Sequence, residues 1–152
     1  SIKKFINQND RNVKFVLRIL LKYLLAKKQL VALEEVKVYS NPMGSYSLKI
    51  LDSVQSSYSC NIILLGFDGC ALGVDIEELV PVFPETAKQF MFEVEYKYCL
   101  NYLEESLGKA FFYKISTAKE SLLKTTGTGF TSQITQIHLL INSYIMEVNY
   151  QD

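Results

Sequence analysis

Residues 60–77 read CNIILLGFDGCALGVDIE, and this stretch decides how the rest of the chain is interpreted. The apolar run 60–67 is typical of a buried strand, and Asp68-Gly69 is a dipeptide that favours a tight turn between right-twisted strands. Residues 70–77 then predict a return strand. The sequence therefore predicts a central antiparallel hairpin whose second strand ends in two acidic side chains.

Helical spacing of apolar residues appears on both sides of this hairpin. The predicted helices cover residues 11–28, residues 85–107 with a break near Phe92, and residues 110–126. Two strand-like runs close the chain, at 131–142 and 144–150. Helices mixed with antiparallel strands predict an α+β fold.

Composition narrows the class of protein. Hydrophobic residues make up 49% of the 152 residues, which is enough for a buried core. The 16 basic and 16 acidic side chains cancel, so the total charge does not indicate a nucleic acid or a membrane surface as partner. No segment reads as a signal peptide or a membrane span. Three cysteines without a paired spacing are typical of a reducing compartment, so we expect a cytoplasmic protein.

Two acidic residues at the end of the predicted hairpin are candidates for metal binding. Side chains alternate along a strand, so Asp75 and Glu77 point to the same face. Adjacent carboxylates repel each other, and a divalent cation such as Mg²⁺, which prefers oxygen ligands, would offset that repulsion. Solvent exposure at a strand end would do the same. Taken alone, the D-x-E pattern leaves both interpretations open.

The helix at 110–126 carries a second group of charged residues. Glu120 and Lys124 are four positions apart and share one face, whereas Lys119 lies about a quarter-turn away from Glu120. Alone, the Glu120–Lys124 pair is typical of an exposed ion pair worth about 0.3–0.5 kcal/mol. The two patterns become specific only when they are considered together.

Together, the patterns resemble the motifs of the surfactin-type 4′-phosphopantetheinyl transferases. That family has a strand (V/I)-G-(V/I)-D-(I/V)-E and, further along, a helix W-(T/S)-x-K-E-(A/S)-x-x-K. Here the matching segments are LGVDIE at 72–77 and STAKESLLK at 116–124. The segment TAKQFMFEVEY at 86–96 places Glu95 on a further acidic position of the family, and SYS at 57–59 falls where the family has S-H-S. The resemblance covers nearly the whole chain in order.

The resemblance implies a fold. Members of the family are pseudo-twofold pairs of small antiparallel sheets with packed helices, and coenzyme A and Mg²⁺ bind in the cleft between the two halves. By this comparison, residues 1–70 form an N-terminal half that is incomplete relative to the family. Residues 71–152 form a C-terminal half that carries the Mg²⁺ and catalytic motifs. We expect the two halves to make one compact unit.

The resemblance also implies an activity of the holo-[acyl-carrier-protein] synthase type. This is the Mg²⁺-dependent transfer of 4′-phosphopantetheine from coenzyme A to a serine of an acyl or peptidyl carrier protein, with release of 3′,5′-ADP. Such carriers serve fatty acid, polyketide or nonribosomal peptide biosynthesis. The implied partners are therefore coenzyme A and a carrier protein.

Each site residue takes its implied role from the motif position that it matches. Asp75, Glu77 and Glu120 would hold Mg²⁺ on the pyrophosphate of coenzyme A, and Glu120 would also relay the proton of the attacking serine. Lys124 would stabilise or protonate the leaving phosphate, and Lys119 would help to neutralise the phosphates. The implied coenzyme-binding residues are Ser57, Tyr58, Lys119 and Lys124.

Several positions depart from the family pattern, mostly on the coenzyme-binding side. The residues that replace the family's arginine, lysine, histidine, threonine and tryptophan are, in that order, Val13, Ser45, Tyr58, Leu79 and Ser116. The cationic clamp on the 3′-phosphate and adenine is depleted as a result. Each lost charged hydrogen bond costs about 1.5–3 kcal/mol of coenzyme affinity.

Three interpretations stay open at this point. An active transferase is favoured by the intact carboxylates and by Lys124. A non-catalytic relative that binds a carrier protein or a nucleotide is favoured by the altered coenzyme positions. An unrelated α+β interaction domain would require the motif match to be accidental. Because the chain is short for the family, it is a compact variant, a chain with residues missing, or one that pairs with a second copy to complete the cleft.

Overall fold

The structure of the protein, a computed structural model, describes residues 8–37, 39–40, 46–47, 53–102, 105–127, 132–141 and 146–150. The helices in these ranges are α1 (Gln8–Gln29), α2 (Pro84–Phe90), α3 (Glu93–Tyr102) and α4 (Ser106–Thr126), with short 3₁₀ turns at Leu33–Glu35 and Ser132–Gln136. The strands are β1 (Tyr39–Ser40), β2 (Tyr46–Ser47), β3 (Ser53–Ser59), β4 (Ile62–Asp68), β5 (Ile137–Ile141) and β6 (Met146–Tyr150). This mixture of helices and antiparallel strands confirms the α+β class.

The described strands form two antiparallel sheets. The larger has the order β1-β2-β3-β4, and the smaller pairs β5 with β6. The longest pairing joins β3 and β4, from Ser53 opposite Asp68 to Ser59 opposite Ile62. A pseudo-twofold relation between two halves, and their boundary between residues 70 and 71, stay predictions.

Helix α1 covers one face of the larger sheet. Leu17, Leu21 and Leu25 repeat every four residues, so they lie on one side of the helix, and all three are buried. Leu21 and Leu25 belong to a hydrophobic cluster with Val54, and Phe67 packs against it. Val54 and Phe67 are paired across β3 and β4. The opposite face of this hairpin is therefore available to the remainder of the chain.

A second hydrophobic cluster joins the C-terminal helices to β5. Cys99 of α3, Ile115 of α4 and Ile137 of β5 have no exposed surface and belong to this cluster. The aromatic ring of Phe112 on α4 meets that of Phe90 on α2 edge to face, with 5.9 Å between ring centroids. This cluster fixes α4 against α2 and α3, and it thereby fixes the helix that carries the predicted K-E motif.

The prediction of a hairpin between residues 60–67 and 70–77 is wrong, because the structure pairs β4 with the preceding strand β3. The structure places the two-residue turn at Cys60 and Asn61, where Cys60 takes a positive φ of 51°. The strand 62–68 is therefore the second strand of the hairpin, and residues 70–77 are not assigned to a strand. The chain does reverse after Asp68, whose Oδ1 accepts a hydrogen bond from the backbone N–H of Cys70 at 3.2 Å. The prediction failed because β3, SVQSSYS, lacks the apolar residues that mark a buried strand.

The helices follow the sequence pattern more closely. The predicted helix at 110–126 is confirmed as part of α4, which ends at Gly127 in the left-handed conformation, with φ of 71°. The break predicted near Phe92 separates α2 from α3. Among the described helices, none combines the length and the apolar character needed to span a membrane.

Candidate active site

The acidic segment, defined as residues 73–78, lies between the β3–β4 hairpin and helix α4. Gly73 makes the approach to α4 possible, because a Cβ atom there would lie 1.7 Å from the backbone oxygen of Ser121. On the hairpin side, a Cβ atom at Gly66 would lie 2.8 Å from a methyl carbon of Val74. Both contacts are closer than real Cβ atoms allow, so the packing of the acidic segment depends on both glycines.

Serines of β3 hold the acidic segment through their side chains. The hydroxyl of Ser57 donates to Asp75 Oδ1 at 2.8 Å and accepts the backbone N–H of Ile76 at 3.3 Å. Ser59 makes the same two kinds of bond, to the next carboxylate along the segment and from the N–H that follows it. Residues 57 and 59 point to the same face of the strand. The acidic segment therefore lies against the hairpin face opposite α1.

Lys124 of α4 forms an ion pair with Asp75. Its Nζ donates to Asp75 Oδ1 at 2.5 Å and to the backbone oxygen of Val74 at 3.2 Å. The helix is fixed at this level by Gln55, whose Nε2 donates to the backbone oxygen of Lys124 at 3.2 Å. The Asp75 side chain is only 5% exposed, and its second oxygen, Oδ2, is buried without a hydrogen-bond partner among the described residues. One oxygen of the Asp75 carboxylate thus accepts two hydrogen bonds, whereas the other accepts none from the described residues.

Asp75 lines a cavity of about 200 Å³ together with two further carboxylates, Glu77 and Glu120. The remaining lining residues are Thr86, Phe90, Phe112, Tyr113 and Ser116. The cavity therefore has an acidic side, formed by the acidic segment and α4, and a largely aromatic side, formed by α2 and α4. The three carboxylates that the sequence singled out therefore line one cavity.

Burial and neighbouring negative charge raise the pKa of both Glu120 and Glu77. Burial raises the pKa of Glu120, the negative charges of Asp75 and Glu77 raise it further, and Lys124 lowers it. Burial also raises the pKa of Glu77, as does Asp75, while the hydrogen bond from Ser59 and the charge of Lys124 lower it. A cation placed among these groups would relieve the repulsion.

The donor chemistry of the cavity fits a hard divalent cation such as Mg²⁺. Such ions take oxygen ligands, and the buried Oδ2 of Asp75 is an oxygen with unused acceptor capacity. Within the described ranges, however, no three His, Cys, Asp or Glu side chains are grouped closely enough to hold a metal ion as they stand. Coordination by all three carboxylates would therefore require their side chains to come closer together than they are in this structure. The predicted ligand set therefore stays a prediction.

The position of Lys119 does not agree with its predicted role at the phosphates. Its side chain is 0% exposed, and its Nζ donates to Glu95 Oε2 at 2.6 Å and to the backbone oxygen of Phe90 at 3.0 Å. Burial lowers the pKa of Lys119, and the bond to Glu95 offsets part of this effect. A ligand in the cavity has no access to this ammonium group. We therefore assign Lys119 a structural role and leave it out of the coenzyme-binding set.

Glu95 completes a buried network that the sequence analysis missed. Its Oε2 also accepts the backbone N–H of Phe92 at 2.8 Å, and its Oε1 accepts the N–H of Leu139 on β5 at 2.8 Å. Glu95 is the third residue of α3, and a glutamate there commonly reaches back to the backbone N–H that precedes the helix. That capping signal was available in the sequence. The link to Lys119 and β5 was not, because it depends on tertiary packing.

The remaining predicted coenzyme positions do not line the cavity. Ser57 already donates its hydroxyl proton to Asp75, so its observed role is to hold the acidic segment. Tyr58 follows Ser57 on β3 and points to the other face of the hairpin. Of the positions that depart from the family pattern, Ser116 lines the cavity, Leu79 is 63% exposed, Val13 lies in α1, and Ser45 lies outside the described residues.

Comparison with known proteins agrees with this geometry. A family described as the 4′-phosphopantetheinyl transferase superfamily matches residues 71–145, which include the acidic segment and all of α4. This match, which covers just under half of the chain, confirms the resemblance predicted from the sequence. A curated relative is 4′-phosphopantetheinyl transferase Sfp of Bacillus subtilis (strain 168), 22% identical over 131 residues. The aligned region covers 85% of this chain but 58% of that relative, so the chain spans well under two thirds of the relative's length.

Proposed function

We propose that this protein is a 4′-phosphopantetheinyl transferase that modifies a serine of an acyl or peptidyl carrier protein with coenzyme A as donor. The observation that carries the proposal is the acidic cavity, where a buried and half-saturated Asp75 lies beside Glu77 and Glu120. The family match over residues 71–145 supports the same reaction class.

The transfer exchanges the phosphoanhydride bond of the coenzyme pyrophosphate for a phosphoester bond on the carrier serine. The serine oxygen of the carrier forms a bond to the phosphorus that bears pantetheine, and the bond from that phosphorus to the bridging pyrophosphate oxygen breaks. The serine proton is taken up, and 3′,5′-ADP leaves. Such a reaction needs positioning, neutralisation of phosphate oxygens and a cation at the developing charge.

The proposed ligands of Mg²⁺ are Asp75, Glu77 and Glu120. The bound ion would neutralise the pyrophosphate oxygens. Within the protein, Asp75 lines the cavity and its Oδ2 has no hydrogen-bond partner among the described residues, while Lys124 and Ser57 hold Oδ1 in place. This division of the carboxylate supports metal binding without loss of the ion pair.

Lys124 and Glu120 are the proposed catalytic residues. The ammonium of Lys124 lies 2.5 Å from a carboxylate of the cavity, close enough to the acidic side to stabilise a leaving phosphate. Glu120 lines the cavity together with Asp75 and Glu77, so its carboxylate is placed to act as a base there. Glu120 would therefore accept the proton of the attacking serine, directly or through water.

A second candidate is a non-catalytic relative that binds a carrier protein or a nucleotide. One observation favours it, namely that none of the described residues that line the cavity is basic. The predicted cation Lys119 is buried elsewhere, so the coenzyme phosphates would rely on the metal and on Lys124. Binding without turnover would be the result that supports this candidate.

The test is a mass measurement on an apo carrier protein incubated with the protein, coenzyme A and Mg²⁺. We expect a gain of one phosphopantetheine that is lost on chelation of the metal and in the Glu120→Gln variant. Glu93→Gln is the matched control, because Glu93 is exposed on α3 and does not line the cavity, so the same charge is removed outside it. The control should retain full activity.

Each outcome of this test distinguishes the candidates. No mass gain with several carrier classes, together with measurable binding of coenzyme A, would favour the non-catalytic relative. A gain that persists in Glu120→Gln would contradict the assignment of Glu120 while leaving the transferase proposal intact.

A further inference from the structure

The two β3 serines bind the acidic segment in a repeating pattern. Ser57 Oγ donates to the carboxylate of Asp75, 18 residues further along the chain, and Ser59 Oγ donates to Glu77 with the same offset of 18. Each hydroxyl also accepts a backbone N–H with an offset of 19, from Ile76 and from Glu78 respectively. Two residues on β3 thus match two residues on the acidic segment. We call this arrangement the serine ladder.

The serine ladder holds the acidic segment against β3 through side-chain hydrogen bonds, as backbone hydrogen bonds hold neighbouring strands in a sheet. The acidic segment is not assigned to a strand, so its alternation is not imposed by inter-strand backbone bonds. The serines instead hold every second residue against the hairpin, which places Asp75 and Glu77 on one side of the segment. Both carboxylates therefore reach the same cavity.

The Ser57 bond of the ladder also restricts the orientation of the Asp75 carboxylate. Asp75 Oδ1 receives two donors, Ser57 Oγ at 2.8 Å and Lys124 Nζ at 2.5 Å. With Oδ1 held from two directions, rotation about the bond that carries the carboxylate is restricted, and Oδ2 is left as the oxygen without a partner. Metal-ligating carboxylates are commonly oriented by such outer hydrogen bonds, and loss of one typically costs metal affinity.

We propose that Ser57 and Ser59 are positioning residues that orient Asp75 and Glu77 for a divalent cation, with Ser57 the more important of the two. The proposal rests on the metal site of the proposed function. Ser57 is buried and its bond to the carboxylate is 2.8 Å, whereas Ser59 is more exposed and its bond is 3.3 Å. The predicted coenzyme-binding role of Ser57 is replaced by this one.

The experiment compares alanine variants along one strand of the full chain. Ser57→Ala and Ser59→Ala remove the two steps of the ladder. Ser56→Ala is the matched control, because Ser56 directly precedes Ser57 on β3 and points to the other face of the hairpin. Ser57→Thr keeps a hydroxyl at the critical position and suits a strand.

Mn²⁺ serves as a paramagnetic probe of the site, titrated by electron paramagnetic resonance and displaced by Mg²⁺. We expect Ser57→Ala to weaken Mn²⁺ binding about 10–100-fold, Ser59→Ala to weaken it less, and Ser56→Ala to leave it unchanged. Ser57→Thr should recover most of the affinity. Thermal unfolding of each variant, measured without metal, shows whether the protein is folded during the titration.

Amide hydrogen exchange, measured without metal, tests whether each serine of the ladder protects the backbone N–H that it accepts. Ser57→Ala should speed exchange at the N–H of Ile76 and leave that of Glu78 unchanged, and Ser59→Ala should do the reverse. A purely structural role would produce these exchange effects without a change in Mn²⁺ affinity.

The outcomes separate this inference from the metal site on which it rests. If the wild type binds neither Mn²⁺ nor Mg²⁺, the metal site and this inference are both overturned. If the wild type binds Mn²⁺ and folded Ser57→Ala binds it equally well, only the positioning role is overturned. An equal loss in Ser56→Ala would also overturn it, because the effect would then belong to β3 as a whole.

Discussion

Helix α4 carries two lysine–carboxylate pairs that differ in how completely their hydrogen bonds are satisfied. Lys119 lies 2.6 Å from Glu95, with side-chain exposures of 0% and 3%. Lys124 lies 2.5 Å from Asp75, with side-chain exposures of 29% and 5%. Both oxygens of Glu95 accept hydrogen bonds, whereas Asp75 Oδ2 has no partner within the described part of the chain. We call the first the closed pair and the second the open pair.

The difference indicates which pair supports the fold and which is suited to bind a ligand. A buried charge is tolerated when its hydrogen-bonding capacity is filled. The closed pair meets that condition with bonds to Phe90 of α2, to Phe92 between α2 and α3, and to Leu139 of β5. The open pair leaves a buried oxygen unsatisfied at the edge of a cavity, which is unfavourable unless something binds there. Lys119 therefore supports the fold, whereas its neighbour Glu120 lies at the cavity that is suited to bind a ligand.

The largest effect is expected from breaking the closed pair with Lys119→Met. This substitution leaves the Glu95 carboxylate buried and uncompensated, so the free energy of unfolding should fall by about 3–5 kcal/mol in urea denaturation. Lys119→Met combined with Glu95→Gln should recover part of the loss because the uncompensated charge is removed. The control is Lys97→Met, whose pair with Glu93 has side-chain exposures of 70% and 73% and should not change the stability measurably. Equal effects at Lys119 and Lys97 would mean that the closed pair does not support the fold.

Breaking the open pair with Lys124→Met should have a small effect on stability and a large effect on the rate of carrier modification. Asp75 keeps its bond from Ser57, so stability should fall much less than in Lys119→Met. The rate of carrier modification should fall about 100–1,000-fold, because a cation at the developing charge is lost. Lys114→Met is the control, since Lys114 is an exposed lysine of the same helix. Retention of more than half of the rate in Lys124→Met would exclude the proposed catalytic role.

The smallest effect concerns the pH dependence of stability near the open pair. The folded-state pKa of Glu120 is raised above its ordinary value of 4.5 by burial and then by Asp75, so ionisation of Glu120 disfavours the folded state. Its stabilising contribution is therefore complete below pH 4.5 and is lost as the pH rises through the folded-state pKa. Urea denaturation with a metal chelator present should show Glu120→Gln gaining stability relative to the wild type over that range. If the difference in unfolding free energy between the two proteins does not vary with pH, the folded-state pKa of Glu120 is not raised.

Much of the site could be predicted from local sequence because local geometry carries it. The spacing of Glu120 and Lys124 predicted a helix that shows one face to the site, and α4 has the predicted C-terminal end at Gly127. The alternation of Asp75 and Glu77 was also correct in effect, since both line the cavity, although the segment is not a strand. The turn was misplaced because the polar strand β3 has no apolar periodicity to reveal it.

The sequence by itself determined the class of fold, the helices and the three carboxylates, because helical periodicity and motif spacing are properties of neighbouring residues. Only the tertiary structure decided the roles of Lys119 and Ser57. Adjacent residues on a helix point in directions about 100° apart, so packing of α4 against α2 and α3 determines that Lys119 is buried while Glu120 faces the cavity. Likewise, a serine on a polar strand bonds whatever segment is packed against it, and for Ser57 that segment lies 18 residues further along the chain.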